Sequence, residues 1–204
     1  MSINFKALSR YSTQLIGPTD KKLVLEVLET DYLSRGPKIK EFEDSLGTFC
    51  LNRHAIATNS ATSALQIAYQ VNNISNKSLV WTSPISFVAT TNTALTFGAR
   101  IDFIDIDPST LNLSPDLLEK KLIDNKNQRP DFVSVVHFGG SPADLKKIFQ
   151  LSNKFNFKII EDASHALGAV FQGEPIGSNR YSDAVVFSFH PVKMITTGEG
   201  GALL

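Results

Sequence analysis

The stretch "DFVSVVHFGGSPADLKKIFQLSNKFNFKIIED", residues 131–162, shows the alternation of apolar and helical segments that indicates the fold. It begins with the apolar run "FVSVV", continues through the helical segment "ADLKKIFQLSNKF", and closes on a second apolar run, "FKIIED". Short apolar runs on either side of a helix-length segment are typical of a strand–helix–strand unit. Because two parallel strands need a long crossover connection, this unit predicts neighbouring parallel strands joined by a helix.

The same alternation continues on both sides of this unit. The other predicted strands lie in "HAIAT" (54–58), "LVWTS" (79–83), "IDFIDI" (101–106) and "DAVVFSF" (183–189), and most are separated by helical segments. Six such strands predict an α/β fold with a mostly parallel sheet flanked by helices on both faces. The sequence has no internal repeat, low-complexity tract or linker, so no domain boundary is expected within residues 1–204.

Two helices are expected ahead of the sheet. Thr19 or Asp20 is predicted to cap the first, which continues through "DKKLVLEVLETDYL" to "SRGP". Its apolar residues Leu23, Val27 and Leu28 share one face. Pro37 is predicted to open the second helix, "PKIKEFEDSLGTF", whose apolar residues recur three or four positions apart, as in a surface helix packed on a core.

The composition excludes several classes of protein. Among 204 residues, 20 Lys and Arg balance 20 Asp and Glu, so no charge excess indicates a nucleic acid or an anionic membrane as a partner. The N-terminus lacks a signal-peptide pattern, and no segment approaches the roughly 20 apolar residues of a membrane span. We therefore expect a cytoplasmic protein. Cys50 is the only cysteine, which excludes an internal disulfide, and it is expected to be a small core residue.

Ligands of open α/β sheets gather beyond the carboxyl ends of the strands. After the first strand, "TNSATSA" places Ser60, Thr62 and Ser63 at a helix start, where hydroxyls and free amides suit a phosphate. The alternative is simple N-capping by Asn59 or Ser60, which is common. No glycine-rich phosphate loop or dinucleotide fingerprint is present, which argues against ATP and dinucleotides as ligands.

The strand ending in "KIIEDASHALGA" places Asp162 at its end and His165 three residues later. A carboxylate there can hold a protonated ring nitrogen, and the histidine can reach another polar group of the same ligand. Alternatively, Asp162 is a turn residue and His165 a satisfied histidine. Together with His137 they could also suggest a metal, but the spacings match no familiar zinc pattern, so we expect no metal site.

The segment "AVVFSFHPVK" places Lys193 just beyond an apolar strand. Burial disfavours the ammonium form and makes the amine available as a nucleophile toward a carbonyl. The alternative is a lysine exposed on a loop, which is the commoner outcome for any single lysine. A lysine, a carboxylate, a helix start and an aromatic group such as Phe87 are together what pyridoxal phosphate needs from a protein.

The motifs "NSATSAL", "WTSPISFVAT", "DFIDID", "EDASHALGA" and "SFHPVK" with "TTGEGG" resemble the DegT/DnrJ family of sugar aminotransferases, which have the type I pyridoxal phosphate fold. "SFHPVKMITTGEGG" and "VWTSPISFVAT" look most similar to the branch that aminates carbon 4 of a UDP-linked 4-keto-6-deoxy-N-acetylhexosamine in pseudaminic acid biosynthesis.

The resemblance implies a role for each matching residue. Lys193 would bind the cofactor aldehyde as a Schiff base and shuttle a proton, and Asp162 would keep the pyridine nitrogen protonated. His165, where many relatives have glutamine, would approach the ring hydroxyl. The phosphate and the ring would be held by Ala61, Thr62, Ser188 and Phe87. The family also implies an amino donor, typically glutamate, and a homodimer.

The length departs from the family pattern. Related enzymes continue through a C-terminal small domain, so residues 1–204 are expected to be an N-terminal segment and an incomplete large domain. The final "GGALL" begins a strand, which we expect to leave apolar surface at an unpaired edge. The alternatives are a catalytically silent fragment that keeps the fold, and another sugar aminotransferase of the same family. A regulator that uses the cofactor as a ligand would need a DNA-binding module, and none appears.

Overall fold

A seven-stranded sheet forms the centre of the molecule, and the computed structural model describes it within residues 12–52 and 54–204. Its strands lie in the order β1-β9-β8-β5-β4-β2-β3, and β9 alone runs antiparallel to its neighbours. The strands are β1 (Ile56–Thr58), β2 (Leu79–Thr82), β3 (Arg100–Phe103), β4 (Phe132–Val136), β5 (Lys158–Asp162), β8 (Ala184–Ser188) and β9 (Gly201–Leu203). A separate hairpin, which the sequence did not predict, pairs β6 (Val170–Phe171) with β7 (Glu174–Pro175).

Six α-helices connect or precede these strands within the described residues. They are α1 (Pro18–Leu28), α2 (Pro37–Phe49), α3 (Ala61–Val71), α4 (Ala89–Leu95), α5 (Pro115–Asp124) and α6 (Leu145–Phe155). Ser60, Ser114 and Asp144 cap α3, α5 and α6 by accepting a hydrogen bond from a first-turn amide. Such caps satisfy amides that have no partner within the helix, which is why the helices begin there. None of the helices in the described part of the chain is long and apolar enough to cross a membrane.

Apolar side chains cover both faces of the sheet. One cluster joins Ile160 and Val186 to residues of α3 and α4, and the other joins Ile159 and Val185 to residues of α5 and α6. Successive residues of a strand point to opposite faces, so β5 contributes to both clusters. Cys50, at the end of α2, is fully buried, and burial raises the pKa of its thiol to about 11. These features confirm the predicted α/β fold.

The first helix differs from its prediction. Gly17, and not Thr19 or Asp20, is the N-cap of α1, and the Asp20 carboxylate accepts a hydrogen bond from the Gly17 amide at 2.6 Å. The helix ends at Leu28, five residues before the predicted end, and it contains no buried residue. Pro37 does open α2 as predicted, because proline suits the first turn of a helix.

The expectation of an exposed final strand is wrong. The strand β9 lies between β1 and β8, where Ala202 pairs with both Ala57 and Phe187. Residues 201–204 are all buried. The local sequence "GGALL" shows only that a strand begins, whereas its position in the sheet depends on pairing with both β8 and the distant β1.

Candidate active site

The carboxyl ends of the parallel strands meet at one edge of the sheet. Thr58, Asp162 and Ser188 are the last residues of β1, β5 and β8. The antiparallel β9 starts at the same edge, since its first residue, Gly201, pairs with both Thr58 and Ser188. Most of the predicted site residues therefore lie on loops and helix starts that leave this edge.

The first turn of α3 lies against Gly201. Ser60 Oγ accepts a hydrogen bond from the Ser63 amide at 3.2 Å, so the predicted cap is confirmed. A Cβ atom at Gly201 would lie 2.4 Å from the Ala61 nitrogen, and this close approach of two backbones leaves room only for glycine. Ala61 is half-buried and Thr62 is exposed. First-turn amides have no partner within a helix, so this turn suits an anion, although anion binding there stays a prediction.

Asp162 is buried and is held by two hydroxyl groups. Thr90 Oγ1 donates to Asp162 Oδ2 at 2.7 Å, and Ser164 Oγ donates to Asp162 Oδ1 at 2.7 Å. Thr90 lies on α4 and is fully buried, so its hydroxyl fixes the carboxylate from the face of the sheet that α4 covers. A buried carboxylate fixed in this way can accept a hydrogen bond from a protonated ring nitrogen.

Replacing Thr90 with valine is expected to loosen Asp162. Thr90→Val removes the hydroxyl, and a buried acceptor left without its donor costs about 1–3 kcal/mol. We expect a lower free energy of unfolding by that amount in urea denaturation, while Thr90→Ser, which keeps the hydroxyl, retains most of the stability. Destabilisation by Thr90→Ser but not by Thr90→Val, which keeps the methyl group, would show that the methyl group, and not the hydrogen bond, matters.

Lys193 and His165 are in direct contact. Lys193 Nζ lies 2.6 Å from His165 Nε2, and both side chains are half-buried. Burial lowers the pKa of Lys193, which the Asp162 carboxylate partly opposes. Burial, followed by the Lys193 charge, lowers the pKa of His165, and Asp162 again opposes the change. The pair therefore favours an uncharged nitrogen, which a nucleophilic amine requires.

The remaining predicted residues lie on segments at the same edge of the sheet. Phe87 lies between β2 and α4 and is 71% exposed, so its ring is free to cover a flat ligand. Ser188 is half-buried at the end of β8, and its hydroxyl accepts a long hydrogen bond from the His190 amide at 3.4 Å. Cofactor binding by Phe87 and Ser188 stays a prediction.

Several contacts around the site were not predicted from the sequence. Thr90 and Ser164 hold Asp162. His137, considered above only as a possible metal ligand, has its Nε2 2.8 Å from Oε2 of the buried Glu161. Only Ser164 could have been found, from its position two residues after Asp162. In residues 12–52 and 54–204, no group of three or more His, Cys, Asp and Glu side chains is arranged to hold a metal ion.

The side chains at this edge fit one kind of ligand. A nucleophilic amine at Lys193 suits a carbonyl carbon, and the carboxylate of Asp162 suits a protonated ring nitrogen. The first turn of α3 suits an anionic group. Pyridoxal phosphate combines an aldehyde, a pyridine nitrogen and a phosphate, so the donor set of this edge matches that cofactor.

Known proteins share this sequence and architecture. The UDP-4-amino-4,6-dideoxy-N-acetyl-beta-L-altrosamine transaminase of Campylobacter jejuni is 42% identical over 194 residues, covering 95% of this chain and 50% of the relative. PseC of Helicobacter pylori, an aminotransferase involved in pseudoaminic acid biosynthesis, superposes with a TM-score of 0.86 at 37% identity, covering 95% of this chain and 51% of PseC. Spr1654 of Streptococcus pneumoniae in its PLP form superposes with a TM-score of 0.86 at 27% identity, covering 95% of this chain and 52% of Spr1654.

This chain therefore spans about half the length of the relatives that it matches. Residues 14–204 match the model of the DegT/DnrJ/EryC1/StrS aminotransferase family. The match covers nearly the whole chain and includes every strand of the sheet and every predicted site residue. The chain belongs to the DegT/DnrJ/EryC1/StrS aminotransferase family.

Proposed function

We propose that this chain carries the cofactor site of a pyridoxal phosphate-dependent aminotransferase that acts on a nucleotide-linked keto sugar. The observation that supports the proposal most directly is the 2.6 Å contact of Lys193 Nζ with His165 Nε2. The buried Asp162 carboxylate lies close enough to influence the pKa of both residues. A lysine amine with a lowered pKa beside a buried carboxylate is what cofactor capture requires.

Each site residue has a defined role in this proposal. Bound pyridoxal phosphate would supply an electron sink for the carbon that carries the amino group. Lys193 would hold the cofactor through its aldehyde and would move a proton between substrate and cofactor carbons. Asp162 would keep the ring nitrogen protonated, and His165 would approach the ring hydroxyl. The phosphate and the ring face would be held by Ala61, Thr62, Ser188 and Phe87.

The proposed substrate is a UDP-linked 4-keto-6-deoxy-N-acetylhexosamine, which receives an amino group at carbon 4, with glutamate as the donor. The name of the Campylobacter relative supports a UDP-linked 4-amino sugar, and the involvement of PseC in pseudoaminic acid biosynthesis supports the same branch. Another sugar aminotransferase activity within the family is the alternative. Comparing turnover of UDP-linked and TDP-linked 4-keto sugars tests the proposed nucleotide, and a preference for the TDP-linked substrate would favour the alternative.

An absorption spectrum of the purified protein with pyridoxal phosphate tests the cofactor assignment. We expect a yellow adduct, and after borohydride reduction we expect peptide mapping to place the modification on Lys193. A colourless, folded protein, or a modification spread over surface lysines such as Lys154, would contradict the assignment. Lys154 is a suitable reference because its side chain is 58% exposed on α6.

We also propose that the protein acts as a homodimer. The helix α1 supports this, since it buries none of its own residues and exposes Leu23, Val24, Leu25 and Leu28. Apolar side chains concentrated on one helix are costly in water unless another surface covers them. Sedimentation equilibrium of the purified protein tests the proposal, and a monomer at micromolar concentration would contradict it.

A further inference from the structure

We propose that residues 137–143, the turn between β4 and α6, are a positioning element for the cofactor site because they contact the main chain of both Asp162 and His165. This 137–143 turn has the sequence "HFGGSPA" and contains the short 3-10 helix Phe138–Gly140. The inference rests on the function proposed above, since Asp162 and His165 are the residues assigned to the cofactor ring. None of the turn residues is assigned to touch the cofactor.

The first contact is made by His137. Its amide donates to the Asp162 carbonyl oxygen at 3.2 Å, which extends the pairing of β4 with β5 by one residue. The imidazole is buried, with 1% exposure. Its Nδ1 accepts from the Ala143 amide at 3.1 Å, so the ring proton lies on Nε2. Nε2 then donates to Glu161 Oε2 at 2.8 Å.

This arrangement connects the turn to the residue next to Asp162. Glu161 and Asp162 follow one another in β5, so their side chains leave the strand on opposite faces. Both carboxylates are buried. The ring of His137 binds the carboxylate of Glu161, which points away from the site. The amide of His137 binds the main chain of Asp162, whose side chain points into the site. A shift of the turn would therefore move the end of β5.

The second contact is made by Gly140. Its φ angle is +86°, and a Cβ atom there would lie 2.5 Å from the His165 carbonyl oxygen. The neighbouring Gly139 also has a positive φ, +60°, but an added Cβ atom would meet nothing within 4 Å. The main chain of the turn thus lies directly against the main chain of His165, and only Gly140 makes this close approach.

A third residue prevents the turn from moving aside. Asn112 Oδ1 accepts from the Phe138 amide at 2.9 Å, and Asn112 Nδ2 donates to the Ser141 carbonyl oxygen at 3.1 Å. Asn112 is itself buried, with 3% exposure. The turn is therefore fixed by His137 on one side and by Asn112 on the other. An atom added at Gly140 would displace His165 rather than the turn.

The test compares Gly140→Ala with Gly139→Ala in the full chain. Both substitutions place alanine at a positive φ, so both carry a backbone penalty, but only at Gly140 would the added Cβ atom meet the His165 carbonyl oxygen. With pyridoxal phosphate bound, we expect the pH midpoint of the visible band to shift in Gly140→Ala and to stay at the unsubstituted value in Gly139→Ala. We also expect turnover to fall about 100-fold in Gly140→Ala alone, the effect of misplacing a site residue by about 1 Å.

The outcomes separate this inference from the proposed function. If the unsubstituted protein forms no adduct on Lys193, the proposed function and this inference both fail. If it forms the adduct and both alanine variants share its pH midpoint and turnover, only the positioning role is overturned, whatever their melting temperatures. If Gly140→Ala does not fold, Asn112→Ser replaces it, because serine removes both bonds of Asn112 to the turn without adding atoms. An unchanged pH midpoint in Asn112→Ser would overturn the positioning role.

Discussion

Replacing Lys193 with alanine is expected to abolish covalent attachment of pyridoxal phosphate while leaving the fold intact. The amine at Lys193 is the proposed nucleophile, and alanine offers no substitute for it. The side chain is only half-buried, on a loop between β8 and β9, and its contact within the described residues is with His165 Nε2. We therefore expect the free energy of unfolding to change by less than about 1 kcal/mol.

Borohydride reduction followed by intact-mass measurement gives the readout. The unsubstituted protein should gain the mass of one reduced cofactor, and Lys193→Ala should gain none. Lys193→Arg separates charge from nucleophilicity, because arginine keeps a positive charge beside His165 but does not attack an aldehyde at neutral pH. Lys154→Ala controls for labelling of surface lysines. One cofactor retained by Lys193→Ala, or loss of its cooperative unfolding transition, would contradict the role assigned to Lys193.

Replacing Asp162 with asparagine is expected to weaken cofactor binding and remove most turnover. Asparagine keeps the size of the side chain and an oxygen for the Thr90 hydroxyl, but it carries no charge. A hydrogen bond to a charged group contributes about 1.5–3 kcal/mol, so we expect cofactor affinity to fall by about 10- to 100-fold. Turnover should fall further, because an unprotonated ring nitrogen is a poorer electron sink.

Titration of the visible band with pyridoxal phosphate measures the affinity, and the transamination assay measures turnover. Asp183→Asn is the matched control. Asp183 is exposed just before β8, at the opposite edge of the sheet, where its Oδ2 accepts from the Ile159 amide at 2.8 Å. We expect Asp183→Asn to affect stability only. Undiminished turnover in Asp162→Asn would rule out the proposed contact with the ring nitrogen.

The fold was largely predictable because its signals are local. Short apolar runs identify β4, β5 and β8. The capping side chains of Ser60, Ser114 and Asp144 mark helix starts within three residues of the amides that they bind. The prediction failed for α1, where Gly17 begins the helix and Asp20 reaches back to its amide. A carboxylate near the start of a helix can be the N-cap residue itself, or it can lie in the first turn and accept a hydrogen bond from the N-cap amide. The sequence pattern does not distinguish the two roles.

The site was predictable at the level of residue types. Strand ends and the resemblance to a family selected Lys193, Asp162 and His165, and the structure brings Lys193 and His165 into contact. The neighbours of these residues were not predictable. Thr90 is 72 positions before Asp162, and its hydroxyl reaches the carboxylate only because α4 packs on the face of the sheet to which Asp162 points. The local spacing of apolar residues carries no information about a contact between residues 72 positions apart.

The sequence by itself determined the α/β class, the parallel strands and the residue types gathered at their carboxyl ends. These signals are local, because the spacing of apolar residues and helix capping both involve residues a few positions apart. Only the tertiary structure decided that β9 lies between β1 and β8, that Thr90 holds Asp162, and that Gly140 lies against His165. These contacts join segments that are 13 or more positions apart. Their geometry depends on how the whole sheet twists and packs its helices. They exist only once the sheet is assembled.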